Sequence, residues 1–190
     1  MNAKENVFSV ELTGLRPIMF DRYCGELTKK VTMDPVDRAY VKPDSTLYVP
    51  VENLMSFLSA QNTESAPQRV IGKGWKAVAR AALSFVEIAG DDDYGATLYY
   101  GDRPARRDDL VIRHHVARVK KGQLAIPNPK HRPVLNRPWS LKFDIRLEEN
   151  RDLDAGTLKS LFEGGGRAIG LGTYRGPFGK FEVTGWSKAK

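Results

Sequence analysis

The eight residues 140–147, SLKFDIRL, set Leu141, Phe143, Ile145 and Leu147 at every second position, with Lys142, Asp144 and Arg146 between them. A side-chain period of two puts the apolar groups on one face and the charges on the other, the pattern of a strand half-buried in an antiparallel sheet. Residues 7–13 repeat it: Phe8, Val10 and Leu12 alternate with Ser9, Glu11 and Thr13, and Gly14 marks an end or a bulge. On the C-terminal side, Asp152 or Asp154 can cap a helix with an apolar face of Leu158, Leu161 and Phe162. The glycines 164–166 offer either its stop or a weakened final turn running on through Ile169. Residues 178–186 read as a closing strand.

Between the two alternating stretches the period changes. Val51, Leu54, Met55 and Leu58 recur at helical spacing after Pro50, a residue suited to a helix's first turn. A second helical pattern places Trp75, Val78, Ala79, Ala82, Phe85 and Val86 on one side and breaks at Asp91, Asp92, Asp93 and Gly95. The aromatic stripe reads as core, and the aspartates as a solvated helix-ending loop in preference to a cation site. Residues 110–119, rich in β-branched side chains, lead through Lys121 and Gly122 into 123–126 as a basic hairpin or finger. Four prolines between Pro127 and Pro138 predict an irregular far end. Residues 22–44 show no period and read as a long excursion.

Strand, helix, strand, strand, helix, strand is the split βαβ order of ferredoxin-like and RNA-recognition folds. The expected class is α+β: a ferredoxin-like, RRM-like core with an antiparallel sheet, an inserted basic finger and a C-terminal glycine-rich loop. A length of 190 residues favours one domain over 1–190, with insertions at about 22–46 and 103–138.

Hydrophobic residues make up 41% and charged residues 28%, enough apolar content for a packed core. The net charge of +7 is uneven. Residues 103–137 hold ten basic and two acidic side chains, a net of +8, so the remainder sums to −1. Charge concentrated in this way points to an anionic partner, the alternative being a solubilising loop. Cys24 is the one cysteine, which rules out an intramolecular disulfide and a zinc site of paired thiolates. Residues 1–14 carry no uninterrupted apolar region and no stretch approaches 18 apolar residues, so a secretory or membrane reading falls away and a reducing, cytoplasmic setting is expected.

Residues 164–179 hold seven glycines in sixteen positions. Such density lets backbone approach a ligand and turn N–H groups toward an anion, with Arg167, Tyr174, Arg175 and Lys180 adding charge and a stacking surface. The same glycines would equally serve as a helix stop, a turn and a bulge. Phosphate-loop, dinucleotide, zinc-protease and nucleophile-elbow motifs are missing from the sequence. His114, His115 and His131 lack clustered carboxylates and metal-ligand spacing, so no metal and no cofactor is expected. They read as polar members of a nucleic-acid-facing hairpin, with general acid–base cleavage of RNA as the alternative.

The stretch GGGRAIGLGTYRGPFGKFEV, after a helix and before the last strand, resembles the glycine-rich loop of the RAMP superfamily, the ferredoxin-like subunits of CRISPR effector complexes and their relatives. It looks especially like small proteins of bacteriophage genomes that end in Gly-Arg-x-x-Gly-Leu-Gly, then an aromatic, Arg, Pro, and a Gly-basic-Phe-Glu-Val strand. Here these are Gly166, Arg167, Gly170, Leu171, Gly172, Tyr174, Arg175, Pro177, Gly179, Lys180, Phe181, Glu182 and Val183, with Gly176 as a departure between Arg175 and Pro177. The resemblance extends to Tyr48, Val49 and Pro50, to Arg132, Pro133 and Val134, and to residues 139–143. It implies single-stranded nucleic-acid binding and side-by-side self-association along the strand. The family's endoribonucleases place a histidine near the first helix, where this chain has none, and nothing aligns Asp21, Asp34 or Asp37 with the family's catalytic loop aspartate.

The expected function is therefore a non-catalytic single-stranded nucleic-acid-binding protein, RNA favoured over DNA, as a homo-oligomer or a subunit of a nucleoprotein complex. Its expected contacts are Arg113, Arg118, Lys120, Lys121, Lys130, Arg132, Arg137, Arg167, Gly170, Gly172, Tyr174, Arg175 and Lys180. Two alternatives stand beside it: a metal-independent endoribonuclease using His114, His115 or His131, and an interaction protein mimicking a CRISPR effector subunit.

Overall fold

A computed structural model of the chain describes residues 5–23, 25, 32–60, 64–121 and 124–188. Its strands are β1 (Glu5–Gly14), β2 (Ile18–Met19), β3 (Tyr48–Val49), β4 (Val86–Ala89), β5 (Ala96–Tyr100), β6 (Arg103–Pro104), β7 (Leu110–Lys121), β8 (Leu124–Leu135), β9 (Trp139–Glu148) and β10 (Phe181–Lys188). The helices are α1 (Val51–Ser59), α2 (Ala66–Val70), α3 (Trp75–Phe85) and α4 (Ala155–Ala168). The class is α+β with antiparallel sheets. No helix among the described residues is long and apolar enough to cross a membrane.

The alternating stretch that opens the argument is β9, at the centre of the larger sheet. Trp139, Leu141, Phe143, Ile145 and Leu147 are buried, and Lys142, Asp144 and Arg146 among them are exposed. The sheet runs β10-β1-β9-β5-β3, all neighbours antiparallel. β4 and β5 lie along the same edge of β9, Ile88 opposite Ile145 and Leu98 opposite Leu141. The sequence reading carried the α3 pattern on into Val86. In the structure the helix ends at Phe85, and Val86 and Ile88 turn inward as strand residues, because a short apolar run has no period long enough to separate the two states.

Helices α1 and α4 cover one face of this sheet. Phe57 and Phe162 meet at 5.4 Å between ring centroids, and Phe57 meets Phe181 at 5.6 Å, each fully buried. Burying a side chain of this size stabilises the fold by about 1.5–3 kcal/mol. Asp154 is the cap of α4, accepting from the Thr157 N–H at 2.7 Å. Gly164–Gly166 do not stop the helix. A Cβ on Gly165 would stand 2.6 Å from both Ala66 and Phe57, so the glycines let α2 and the core pack directly on the α4 backbone.

The second sheet, β2-β8-β7, is the basic hairpin tied to the end of β2. β8 corrects the expectation of an irregular far end: it pairs with β7 residue by residue from Leu124 to Leu135. Pro127, Pro129 and Pro133 are separated by even steps, so every missing N–H falls on the side away from β7 and no bond of the β7–β8 ladder is lost. The Pro133 carbonyl on that side accepts from the Phe20 N–H at 3.0 Å. Part of the expected long excursion lies outside the described residues. The rest includes a 3-10 turn over Pro35–Arg38 capped by Asp34.

Candidate nucleic-acid interface

The glycine-rich segment between α4 and β10 lies against β2. Thr173 N–H donates to the Met19 carbonyl at 2.8 Å, Gly179 N–H to Pro17 at 2.8 Å, and Leu171 N–H to Gly179 at 2.9 Å. Gly172 has φ +80°, and a Cβ there would stand 2.5 Å from the Met19 carbonyl oxygen. Gly170 donates its own N–H to the Gly165 carbonyl at 3.1 Å, so these four amides are spent on the loop, the end of α4 and residues 17–19, which corrects the expectation that the Gly170 amide faces an anion. The product is a shelf held by backbone hydrogen bonds. Tyr174 projects from it 55% exposed, in a left-handed conformation with φ 52°, with Arg175 next to it.

Beside that shelf is a cleft of about 420 Å³, lined by Phe20, Asp21, Tyr40, Asn53, Ser56, Phe57 and loop residues Gly170 to Arg175. The hairpin reaches the same place through a chain of contacts. The Arg113 guanidinium lies over the Phe178 ring at 5.8 Å, and Phe178 meets Tyr174 at 6.0 Å. Tyr174 stacks on His115 at 5.5 Å. Arg132 points its Nη1 at His115 Nε2, 3.3 Å away, and grips Asp21 with Nε and Nη2 at 3.0 and 2.7 Å. The Arg132–Asp21 pair is largely buried, its side chains 13% and 11% exposed. Because a guanidinium only donates, the contact assigns His115 Nε2 as acceptor and the ring as neutral. Burial, and then the Arg132 charge, hold the His115 pKa below its ordinary value.

Of the residues expected from sequence, Arg113, Arg132, Gly170, Gly172, Tyr174 and Arg175 line this cleft or the contact chain at its edge, and His115 joins them. Arg167 pairs instead with Glu182 at 3.4 Å. Arg137 is exposed in the turn after β8. Lys130 stands opposite His115 across the hairpin, and the Lys180 carbonyl accepts from Leu15 and Arg16. Arg118, Lys120 and Lys121 belong to β7, but their side chains lie outside the described residues. The three histidines do not converge. His114 and His131 contact each other through Nδ1 across the hairpin, and alternation along β7 puts them on the face opposite His115. No group of three potential metal ligands occurs among the described residues.

Asp37 pairs with Arg107 at 2.8 Å, and Asp92 is neutralised by Lys42 at 2.7 Å, as a structural clip and not an open carboxylate cluster. Sequence reasoning missed Phe20, Tyr40, Asn53 and Phe178 as site residues, and Arg16, which donates to the Gly176 carbonyl at 3.0 Å. Phe20, Tyr40, Asn53 and Arg16 belong to no motif or periodic apolar face, Phe178 lies in the glycine-rich stretch without a motif role, and Asp21 meets Arg132 across 111 positions.

The structure defines an α+β protein whose basic hairpin and glycine-rich shelf close on one cleft. It is similar to one chain of the cryo-EM structure of the type III-B Cmr-beta bound to cognate target RNA, with a TM-score of 0.57 and 14% identity over 98% of this chain and 61% of that one. The chain thus spans less than two thirds of that neighbour's length, and the likeness is one of fold: a CRISPR-effector-like fold. No protein-family model matches the sequence, and no curated protein does.

Proposed function

We propose that this protein is a non-catalytic, RAMP-like binder of single-stranded nucleic acid, RNA in preference to DNA, acting as a homo-oligomer or as a subunit of a nucleoprotein complex. The observation that carries the reading is the contact chain Arg113, Phe178, Tyr174, His115, Arg132, which joins a hairpin of concentrated positive charge to an aromatic shelf beside an open cleft. Basic groups that track phosphates, combined with rings on which bases stack, make a sequence-tolerant single-strand site. A ferredoxin-like core in one domain, with insertions at about 22–46 and 103–138, is supported by the strand order β10-β1-β9 with β4 and β5 beyond. That the Cmr-beta structure containing the similar chain is bound to cognate target RNA supports RNA as the ligand. Phage origin and a place in the bacterial cytoplasm rest on the sequence resemblance.

The test is labelled single-stranded RNA titrated with the protein in EDTA at several salt concentrations. We expect a shifted, intact probe whose log affinity falls steeply with log salt. A flat salt dependence would overturn the electrostatic account, and probe ends carrying 2′,3′-cyclic phosphate would establish cleavage instead.

A further inference from the structure

A second cleft of about 430 Å³ adjoins the first, and Tyr40 and Asn53 line both. Its walls are tyrosine. Tyr40 meets Tyr48 edge-to-face at 5.7 Å and Tyr48 meets Tyr94 edge-to-face at 5.6 Å. Tyr94 is 47% exposed and Tyr23, on the same groove, 68%. Of the four tyrosines on this groove, Tyr40 packs against the core, whereas Tyr23 and Tyr94 present exposed rings. The groove also holds Glu52, Asp93 and Arg22, and the Arg22 Nε is buried with no acceptor among the described residues.

Resting on the single-strand reading above, we infer that this tyrosine groove receives one unpaired base bearing an exocyclic amino group, carried there by a strand that crosses the glycine-loop cleft. Aromatic walls supply stacking faces, as single-strand sites do for splayed bases. The two carboxylates repel phosphate, so the backbone stays on the hairpin side while the base enters. A carboxylate accepts from the amino group of adenine or cytosine, whereas the carbonyl that uracil carries at that edge meets it with like polarity. The Arg22 guanidinium lines the same groove and donates to a ring nitrogen or carbonyl of the base. At this one position the otherwise sequence-tolerant strand is read.

The experiment titrates the full chain with oligo(A), oligo(C) and oligo(U) of equal length. Alongside it run Tyr94→Ala, Tyr94→Phe, the pair Glu52→Gln and Asp93→Asn, and Lys120→Ala with Lys121→Ala, with thermal melting as the fold control. Tyr94 is chosen because the turn around it is held by backbone groups and the Asp92 side chain, which survive its replacement. We expect oligo(A) and oligo(C) to bind about tenfold tighter than oligo(U). Tyr94→Ala should cut oligo(A) affinity about tenfold, Tyr94→Phe should preserve it, and the carboxylate pair should erase the preference over oligo(U). If Tyr94→Ala binds oligo(A) like the wild type while the lysine variant weakens all three, the groove assignment falls and the single-strand reading stands. Equal affinity for the three oligonucleotides also overturns it, and no binding at all overturns both readings.

Discussion

The ring of Tyr174 lies nearly parallel to the imidazole of His115, 13° between planes and 5.5 Å between centroids. With the Arg113–Phe178 contact, this stack joins the glycine-rich shelf to the basic hairpin, two segments that no periodic sequence pattern links. Tyr174 holds its place with φ 52°, a conformation that disfavours a side chain.

Replacing Tyr174 by Gly therefore separates two effects. The left-handed strain, about 1 kcal/mol, is relieved, while a stack of similar worth is lost. The melting temperature should move little, and single-stranded RNA affinity should fall by about 1–3 kcal/mol for the lost platform. An unchanged affinity in a titration on the same sample would remove Tyr174 from the interface.

Gly172→Val and Gly176→Ala make a matched pair. At Gly172 both φ +80° and the Met19 carbonyl at 2.5 Å oppose a Cβ, whereas Gly176 has φ +96° with nothing within 4 Å. Gly176→Ala should cost about 1 kcal/mol of strain, and Gly172→Val clearly more, because the shelf must lift from β2. Chemical denaturation of the two variants checks the order.

Arg132→Ala removes the guanidinium that grips the Asp21 carboxylate, a side chain 11% exposed. Loss of one partner of a buried pair costs about 3–5 kcal/mol. Adding Asp21→Asn should restore much of the stability, and a double-mutant cycle measures the coupling.

His115 predicts a pH dependence. Its pKa is lowered in the folded protein by burial and by Arg132, so the unfolded chain binds the proton more readily. Stability is intact above the ordinary value of 6.5 and declines as pH falls from there through the folded pKa. Melting curves between neutral and mildly acidic pH should show this decline in the wild type and a smaller one in His115→Gln.

Much of the fold was legible because its signals are local. The alternation of residues 140–147, the helical spacing from Val51 to Leu58, and the capping aspartate before α4 each state a preference within a few residues. The basic segment 103–137 and the aromatic Tyr174 likewise stand out in the sequence, and they meet beside the cleft. Tertiary structure decided what depends on neighbours far along the chain. β4 and β5 share an edge of β9 because paired strands complete their backbone hydrogen bonds there, a contact that a short apolar run cannot announce. The prolines of β8 are harmless only because the strand exposes their missing donors away from β7. The Gly164–Gly166 run stays helical because α2 and Phe181 approach it, where its propensity alone favours a stop. Asp21 and Arg132, and Tyr40 between the two clefts, meet through loop closure over long separations, which carries no periodic trace in the sequence.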